Sequence, residues 1–188
     1  MEEIKNTTGT LVLAGGCFWC VEHDLKEAPG VFEVVSGYAG PKTDEGFEPS
    51  YFNHKAYREA VKIVYDTTKT TYRKLLQFFI DHIDPTDDGG QFYDRGSSYK
   101  TAIYFYSDEE QKIAQEVLEE LDSSNVYDKP HAVDVLPYEA FYLAETEHQN
   151  YAENNPTQYA AYRKGSGRED FVNQTCQIRE EKHIIWKE

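Results

Sequence analysis

Positive charge is what this chain most lacks. Lys and Arg number 19 against 34 Asp and Glu, for a formal net charge of −15. Such a surface repels phosphate backbones and anionic headgroups, so neither nucleic acid nor an anionic membrane is an expected partner. It identifies no substrate, because an acidic surface commonly serves solubility alone. No apolar run approaches the length of a membrane span. Met1-Glu2-Glu3-Ile4-Lys5 lacks the basic-then-apolar order of a secretion signal, and the expected compartment is the cytoplasm. Cysteine is scarce and odd in number, at three. That count suits redox-active thiols in a reducing compartment better than a structural disulfide framework. Repeats, low-complexity tracts and convincing linkers are also missing. The 188 residues are therefore read as one domain over 1–188, with a core at about 10–155 and a tail at 156–188.

What is present is concentrated in Gly15-Gly16-Cys17-Phe18-Trp19-Cys20. A short apolar run, Thr10 to Ala14, precedes it and reads as a buried strand. Val21, Leu25 and Ala28 follow at helical spacing. Strand, tight Gly-Gly turn and helix place Cys17 at a helix N-terminus, where the dipole and unpaired N–H groups favour thiolate. Two large aromatics beside it begin an apolar pocket.

Further along, Val31 to Ser36 reads as a strand, and residues 41–54 as a loop rich in Pro, Gly, Asp and Asn. Glu59 to Tyr65 alternates as a strand, and Tyr72 to Ile83 is the clearest amphipathic helix. Asp84 to Ser98 is a long Gly/Asp-rich loop, and loops of that length in compact domains are commonly functional. Thr101 to Tyr106 is a strand, Ser107 to Glu110 a capping box opening a helix, and Ala132 to Leu136 a short strand. The rest reads as irregular, with one helix around Thr146 to Asn154. The order β-α-β-β-α-β predicts an α+β fold of the ferredoxin-like, split β-α-β kind. That is a two-layer sandwich with a mixed sheet, helices on one face and a long irregular C-terminal tail.

Several residues could carry chemistry. Cys17 could be a buried structural thiol, but a position after two glycines suits backbone approach better than core filling, and it is read as a nucleophile. Cys20 completes a C-x-x-C. Zinc would need four ligands, and His23 and Cys176 supply no such spacing, so no metal is expected. A thioredoxin-like dithiol stays open. Glu59 shares a strand side with Val61, Ile63 and Tyr65. Projected onto an apolar face it would keep its proton near neutrality; at the strand's wet end it would not. Asp94, Arg95 and Tyr99 close the long loop, either as a solvated Asp–Arg pair or as part of a site. His54, His82, His131 and His148 show no metal spacing.

These residues resemble a known family. Gly15-Gly16-Cys17-Phe18-Trp19, Gly37-Tyr38-Ala39-Gly40 and Asp84-Pro85-Thr86 through Gln91, Asp94-Arg95-Gly96 and Tyr99 are similar to the A-type peptide methionine sulfoxide reductases. The likeness runs from about Leu11 to Phe171, with Glu145, His148-Gln149, Tyr151 and Gly165 to Arg168 adding to it. It implies reduction of methionine-S-sulfoxide, free or in proteins, and so repair of oxidised proteins. By this likeness Cys17 attacks the sulfoxide sulfur and Glu59 protonates its oxygen, with Tyr38 and Tyr99 hydrogen-bonding that oxygen. Phe18 and Trp19 hold the S-methyl group, and Asp94 anchors the pocket. The sulfenic acid left on Cys17 condenses with a second thiol, and thioredoxin reopens the disulfide. The resemblance implies no metal or organic cofactor, and a monomer is expected.

Three departures from the family pattern matter. Many members read Gly-His-x-Glu where this chain has Ala56-Tyr57-Arg58-Glu59, and position 147 is Glu where a tyrosine commonly stands, so His148 receives no role. Many members carry a small residue at position 20 and place resolving cysteines in a glycine-rich tail; here the tail holds only Cys176. Two resolvers are therefore available. Cys20 reaches Cys17 within one helical turn, whereas Cys176 needs the tail to fold over the site. Cys20 is the favoured resolver. A general dithiol oxidoreductase and a binding module for methionine-bearing peptides or a metal are the competing functions.

Overall fold

The computed structural model describes residues 7–43, 47–182 and Trp186. Residues 1–6 of the polar N-terminal segment, 44–46 of the expected 41–54 loop, and 183–185, 187 and 188 of the tail lie outside the described residues. Strand β1 (Thr8–Ala14) leads through Gly15-Gly16-Cys17 into helix α1 (Phe18–Lys26), followed by β2 (Val31–Gly40) and β3 (Arg58–Asp66). Helix α2 (Tyr72–Ile80) precedes a two-residue hairpin, β4 (Gly90–Gln91) and β5 (Asp94–Arg95), and a 3-10 turn at Ser97–Tyr99. Then come β6 (Ala102–Phe105), α3 (Asp108–Ser123), β7 (Asp134–Pro137) and β8 (Ala140–Leu143). A 3-10 turn at Thr146–His148 and three helices finish the described chain: α4 (Tyr151–Asn154), α5 (Pro156–Gly165) and α6 (Arg168–Lys182).

The sheet has six strands in the order β7-β6-β1-β3-β2-β8. Among the described residues only the β6–β7 pair of this sheet is parallel, so the sheet is mixed. The four strands β6-β1-β3-β2 stand in the order that a split β-α-β connection produces, since α1 and α2 each cross over one intervening antiparallel strand. Alternation along β1 explains why Thr10 to Ala14 reads as a continuous apolar run: both of its faces are buried. Leu11 and Leu13 join Val61, Ile63 and Ile103 beneath the apolar sides of α1, α2 and α3. Val12 and Ala14 face the other way, with Ala60, Ala102 and Tyr104, under Leu136, Tyr138 and Phe141.

Two expectations require correction. The tail is not irregular, because residues 156–182 form α5 and α6. Its buried positions include Tyr159, Arg168, Thr175 and Arg179 beside Val172, so the inward stripe is largely polar or aromatic and leaves little apolar period to read. The edge strand β8 also escapes the sequence reading. It pairs Leu143 with Gly37 and Ala140 with Gly40, and two glycines on the partner strand give the pattern little to display. The long loop of 84–98 is tied internally. The Gln91 side chain accepts from the Asp84 amide at 2.9 Å and donates to the Asp84 carbonyl at 2.7 Å, much as a paired strand would. Arg95 engages Asp87 with both terminal nitrogens, which leaves Asp94 for other work. Among the described residues no helix is long and apolar enough to cross a membrane.

The turn after β1 has no room for side chains. A Cβ on Gly15 would lie 2.8 Å from Phe79, and one on Gly16, at φ +80, would lie 2.5 Å from the Gln91 side chain. Gly16→Ala therefore meets both a left-handed backbone and a steric clash. It should destabilise the fold by about 2 kcal/mol or more, read as a lowered urea midpoint with an unchanged slope.

Candidate active site

The turn and β3 together build the site. Cys17 is the N-cap residue of α1, so its carbonyl accepts from the amides of Cys20 and Val21. The amides of the first helical turn are left for other partners. Glu59 supplies one: the Phe18 amide donates to its Oε2 at 3.0 Å. Glu59 reaches that amide because it lies on the same side of β3 as Val61 and Ile63, facing the helices. The inward placement is thus the observed one, and the carboxyl is only 2 % exposed. Burial, reinforced by the charge of Asp94, pushes its pKa up to about 8 against the pull of the Phe18 amide. His54 Nε2 stands 3.8 Å from Glu59 Oε1.

Above this floor is a cavity of about 310 Å³ lined by Cys17, Phe18, Trp19, Glu59, Asp94 and Tyr99, with Tyr51, Tyr93 and Tyr162 completing the wall. Of the residues expected around Cys17, Tyr38 and Cys20 are missing from that lining. Tyr38 is turned elsewhere. Its buried hydroxyl donates to Glu145 Oε2 at 2.9 Å, and its ring stacks on His54. Tyr51, whose amide donates to the other Glu145 oxygen, faces the cavity instead. A lone tyrosine after Glu48-Pro49-Ser50 in an irregular loop gives no periodic signal. Tyr162 was equally hidden, on a helix the sequence does not announce. Its hydroxyl donates to Asp94 and also hydrogen-bonds the Cys17 sulfur.

Trp19 is held rigidly. Its ring lies flat on Tyr151 at 3.8 Å and meets Tyr162 edge-on at 5.8 Å. Its indole N–H donates to His148 Nδ1 at 3.2 Å, which gives His148 a positioning contact that spacing alone did not suggest. Gln149 in turn ties Ser36, its side chain accepting from the Ser36 amide and donating to the Ser36 carbonyl.

Behind the cavity the second thiol is enclosed. Cys20 is fully buried against Cys17 and Tyr159, and it does not line the cavity. The hydrogen bond from Cys17 draws Cys20 down to about 7, with Arg168 and Arg163 adding to the effect. Burial and the same neighbour push Cys17 up. Arg168, 2 % exposed, donates to the carbonyls of Gly15 at 2.7 Å and His82 at 3.0 Å and stacks over Phe92. Arg163 bridges Asp24 and the Tyr159 hydroxyl, both at 2.9 Å. Cys176 is elsewhere, exposed on α6. That helix is fastened on one side of Cys176 by Arg168 and on the other by Arg179, whose Nε meets Asp81 at 2.9 Å. Among the described residues no group of three or more His, Cys, Asp or Glu is placed to hold a metal.

Comparison with known proteins gives this site a context. A family model described as peptide methionine sulfoxide reductase matches residues 9–180. The peptide methionine sulfoxide reductase MsrA of Bacillus licheniformis is 45 % identical over 162 residues, covering 86 % of this chain and 90 % of that protein. Reduced Mxr1 of Saccharomyces cerevisiae superposes with a TM-score of 0.73 at 27 % identity, covering 81 % of this chain and 88 % of that one. Mxr1 in complex with Trx2 shares the fold, with a TM-score of 0.55 at 21 % identity over 81 % of this chain and 90 % of that one.

The hydroxyl of Tyr162 lies between Asp94 and the Cys17 sulfur, and turned from Asp94 to the sulfur it lowers the Cys17 pKa against the larger upward push of burial. Tyr162→Phe should raise the pH at which Cys17 is alkylated by iodoacetamide, followed on the Cys17 peptide by mass spectrometry, with little change in thermal stability.

Proposed function

The chain belongs to the peptide methionine sulfoxide reductase family, and on that premise we propose that it reduces methionine-S-sulfoxide through Cys17, with Glu59 as the acid. The observation that carries the reading is the pairing of a thiol and a buried carboxyl across one small aromatic cavity. A carboxyl with a pKa of about 8 still carries its proton near neutrality and can give it to a sulfoxide oxygen. Burial keeps the proton on Cys17, in place of the thiolate expected at a helix N-terminus, and the hydrogen bond to Cys20 is the route by which that proton leaves to make the Cys17 sulfur the matching nucleophile. Phe18 and Trp19 offer polarizable faces to the S-methyl group.

Glu59 protonates the sulfoxide oxygen while the Cys17 sulfur attacks the sulfoxide sulfur, and the Cys17 proton passes to Cys20 along their hydrogen bond. Tyr99, hydrogen-bonded to Glu59, and Tyr51 line the same cavity and take the role of binding the oxygen. Tyr38 is assigned instead to fixing Glu145, and through it the Tyr51 segment. The oxygen transfers to Cys17, methionine leaves, and a sulfenic acid remains. Cys20, one helical turn away, attacks that sulfur; its proton and the departing hydroxyl form water, and a Cys17–Cys20 disulfide is left. Cys176 is a poor competitor, because α6 would have to leave two arginine anchorages to bring it in. A thioredoxin dithiol then exchanges with the disulfide and is itself oxidised. The whole cycle fits in a single domain. A general dithiol oxidoreductase has no use for Glu59 or for the cavity.

Two titrations bound the pH dependence of methionine release. The thiol pair must lose a proton, so the rate falls as pH drops below about 7. Glu59 must keep its proton, so the rate falls again as pH rises above about 8. Wild type given one equivalent of methionine-S-sulfoxide should release methionine with this bell-shaped profile. Glu59→Gln should lose about a hundredfold or more in rate together with the alkaline limb, with its thiol content unchanged. Near wild-type release in that variant would remove Glu59 from the mechanism, and no release by wild type would defeat the reductase reading.

A further inference from the structure

The cavity that holds Cys17 opens beside a second one, and the two share Tyr51 and Tyr99 as a common wall. This outer groove has a volume of about 410 Å³. Its two sides are the 50–55 segment and the 96–99 turn, clasped by hydrogen bonds from Ser97 Oγ to the Lys55 carbonyl at 3.3 Å and from Ser98 Oγ to the His54 carbonyl at 3.2 Å. The groove therefore has fixed walls. Gly96 forms an open part of it: its φ is +112, and a Cβ built there would find nothing within 4 Å.

Phe52 stands at this groove with 94 % of its surface exposed, the most exposed of the large hydrophobic residues described. Its ring touches Tyr51 edge-on at 5.5 Å, so one edge is steadied while the faces stay in water. Apolar surface left uncovered at the mouth of a site commonly marks where a ligand completes the contact. The inner cavity of about 310 Å³ has room for a methionine sulfoxide side chain, and Tyr51 and Tyr99 stand at its boundary with the groove. When the same residue belongs to a polypeptide, its neighbours must pass that wall, and the groove is the space beyond it.

We propose that the groove between residues 50–55 and 96–99 is a peptide subsite that takes a large apolar side chain flanking the methionine sulfoxide. The proposal rests on the reductase reading and deepens it: residues around Cys17 and Glu59 perform the reaction, and Phe52 selects among oxidised polypeptides. Free methionine sulfoxide would be turned over without using this surface.

The test compares three substrates of S configuration on wild type and Phe52→Ser. One is N-acetyl-methionine sulfoxide N-methylamide, and two are pentapeptides with either Phe or Gly on both sides of the sulfoxide. Wild type should show a KM for the Phe peptide about tenfold below that for the Gly peptide, the scale of burying much of one aromatic side chain. In Phe52→Ser that advantage should vanish, with kcat and the constants for the capped amino acid unchanged. Because Phe52 is nearly all in solvent, the thermal midpoint should also stay put. Equal KM values for the two peptides in wild type, or a Phe preference retained in Phe52→Ser, would overturn the subsite. Failure of wild type to reduce even the capped amino acid would instead bring down the reductase reading, and the subsite with it.

Discussion

The amide of Phe18 and the carboxyl of Glu59 meet where the start of α1 crosses the start of β3, and the rest of the site follows from that contact. A helix N-terminus attracts negative charge, and here two groups compete for it, the thiol pair and the carboxyl. Both are buried, so holding two negative charges so close together would be costly. The conflict resolves chemically. The thiol pair ionises first, at about 7, and Glu59 retains its proton to about 8, each raising the other's demand for a proton. Nucleophile and acid thus coexist in the narrow range where a cell works. The contact exists only because Gly15 and Gly16 let the chain turn without side chains and bring the helix down onto the sheet.

The C-terminal helices supply what sheet and turn do not. Tyr162 bridges Cys17 and Asp94, Tyr159 covers Cys20, and Arg163 and Arg168 bring positive charge to an enclosed thiol. Arg168 is bonded to backbone carbonyls and stacked on Phe92, and its positive charge helps to hold the Cys20 pKa down. In a chain of net charge −15, two cations converge on the thiol behind the cavity. The division of space is clear: Cys17 meets the cavity, whereas Cys20 sits behind it in a polar enclosure.

Much of this was legible in the residues. The buried run of β1, the Gly-Gly turn, the helical spacing after Cys17 and the alternation of β3 carried the strand order around the site, while the side to which Glu59 turns stayed open until its bond to the Phe18 amide fixed it. Those signals are periodic, and burial on one or both faces imposes the period. The parts that were not legible lack it. Residues 156–182 bury tyrosines and arginines rather than a leucine stripe, so their helices read as tail. Tyr51 lies in an aperiodic loop, and its position depends on Glu145, 94 residues away. Tyr38 lies past Ser36, where the sequence pattern of its strand stops but β2 continues to Gly40, and where its hydroxyl went depended on that same distant carboxylate. A side chain's partner across the fold is not encoded in its local spacing.

The most direct test of a compact thiol cycle is mass analysis of Cys20→Ser and Cys176→Ser, each treated with one equivalent of methionine-S-sulfoxide. With Cys20 as resolver, Cys20→Ser releases methionine and stalls with a sulfenic acid on Cys17, while Cys176→Ser forms the Cys17–Cys20 disulfide. The reverse pattern, a stalled Cys176→Ser and a disulfide in Cys20→Ser, would contradict it and require α6 to leave its anchorages in every turnover.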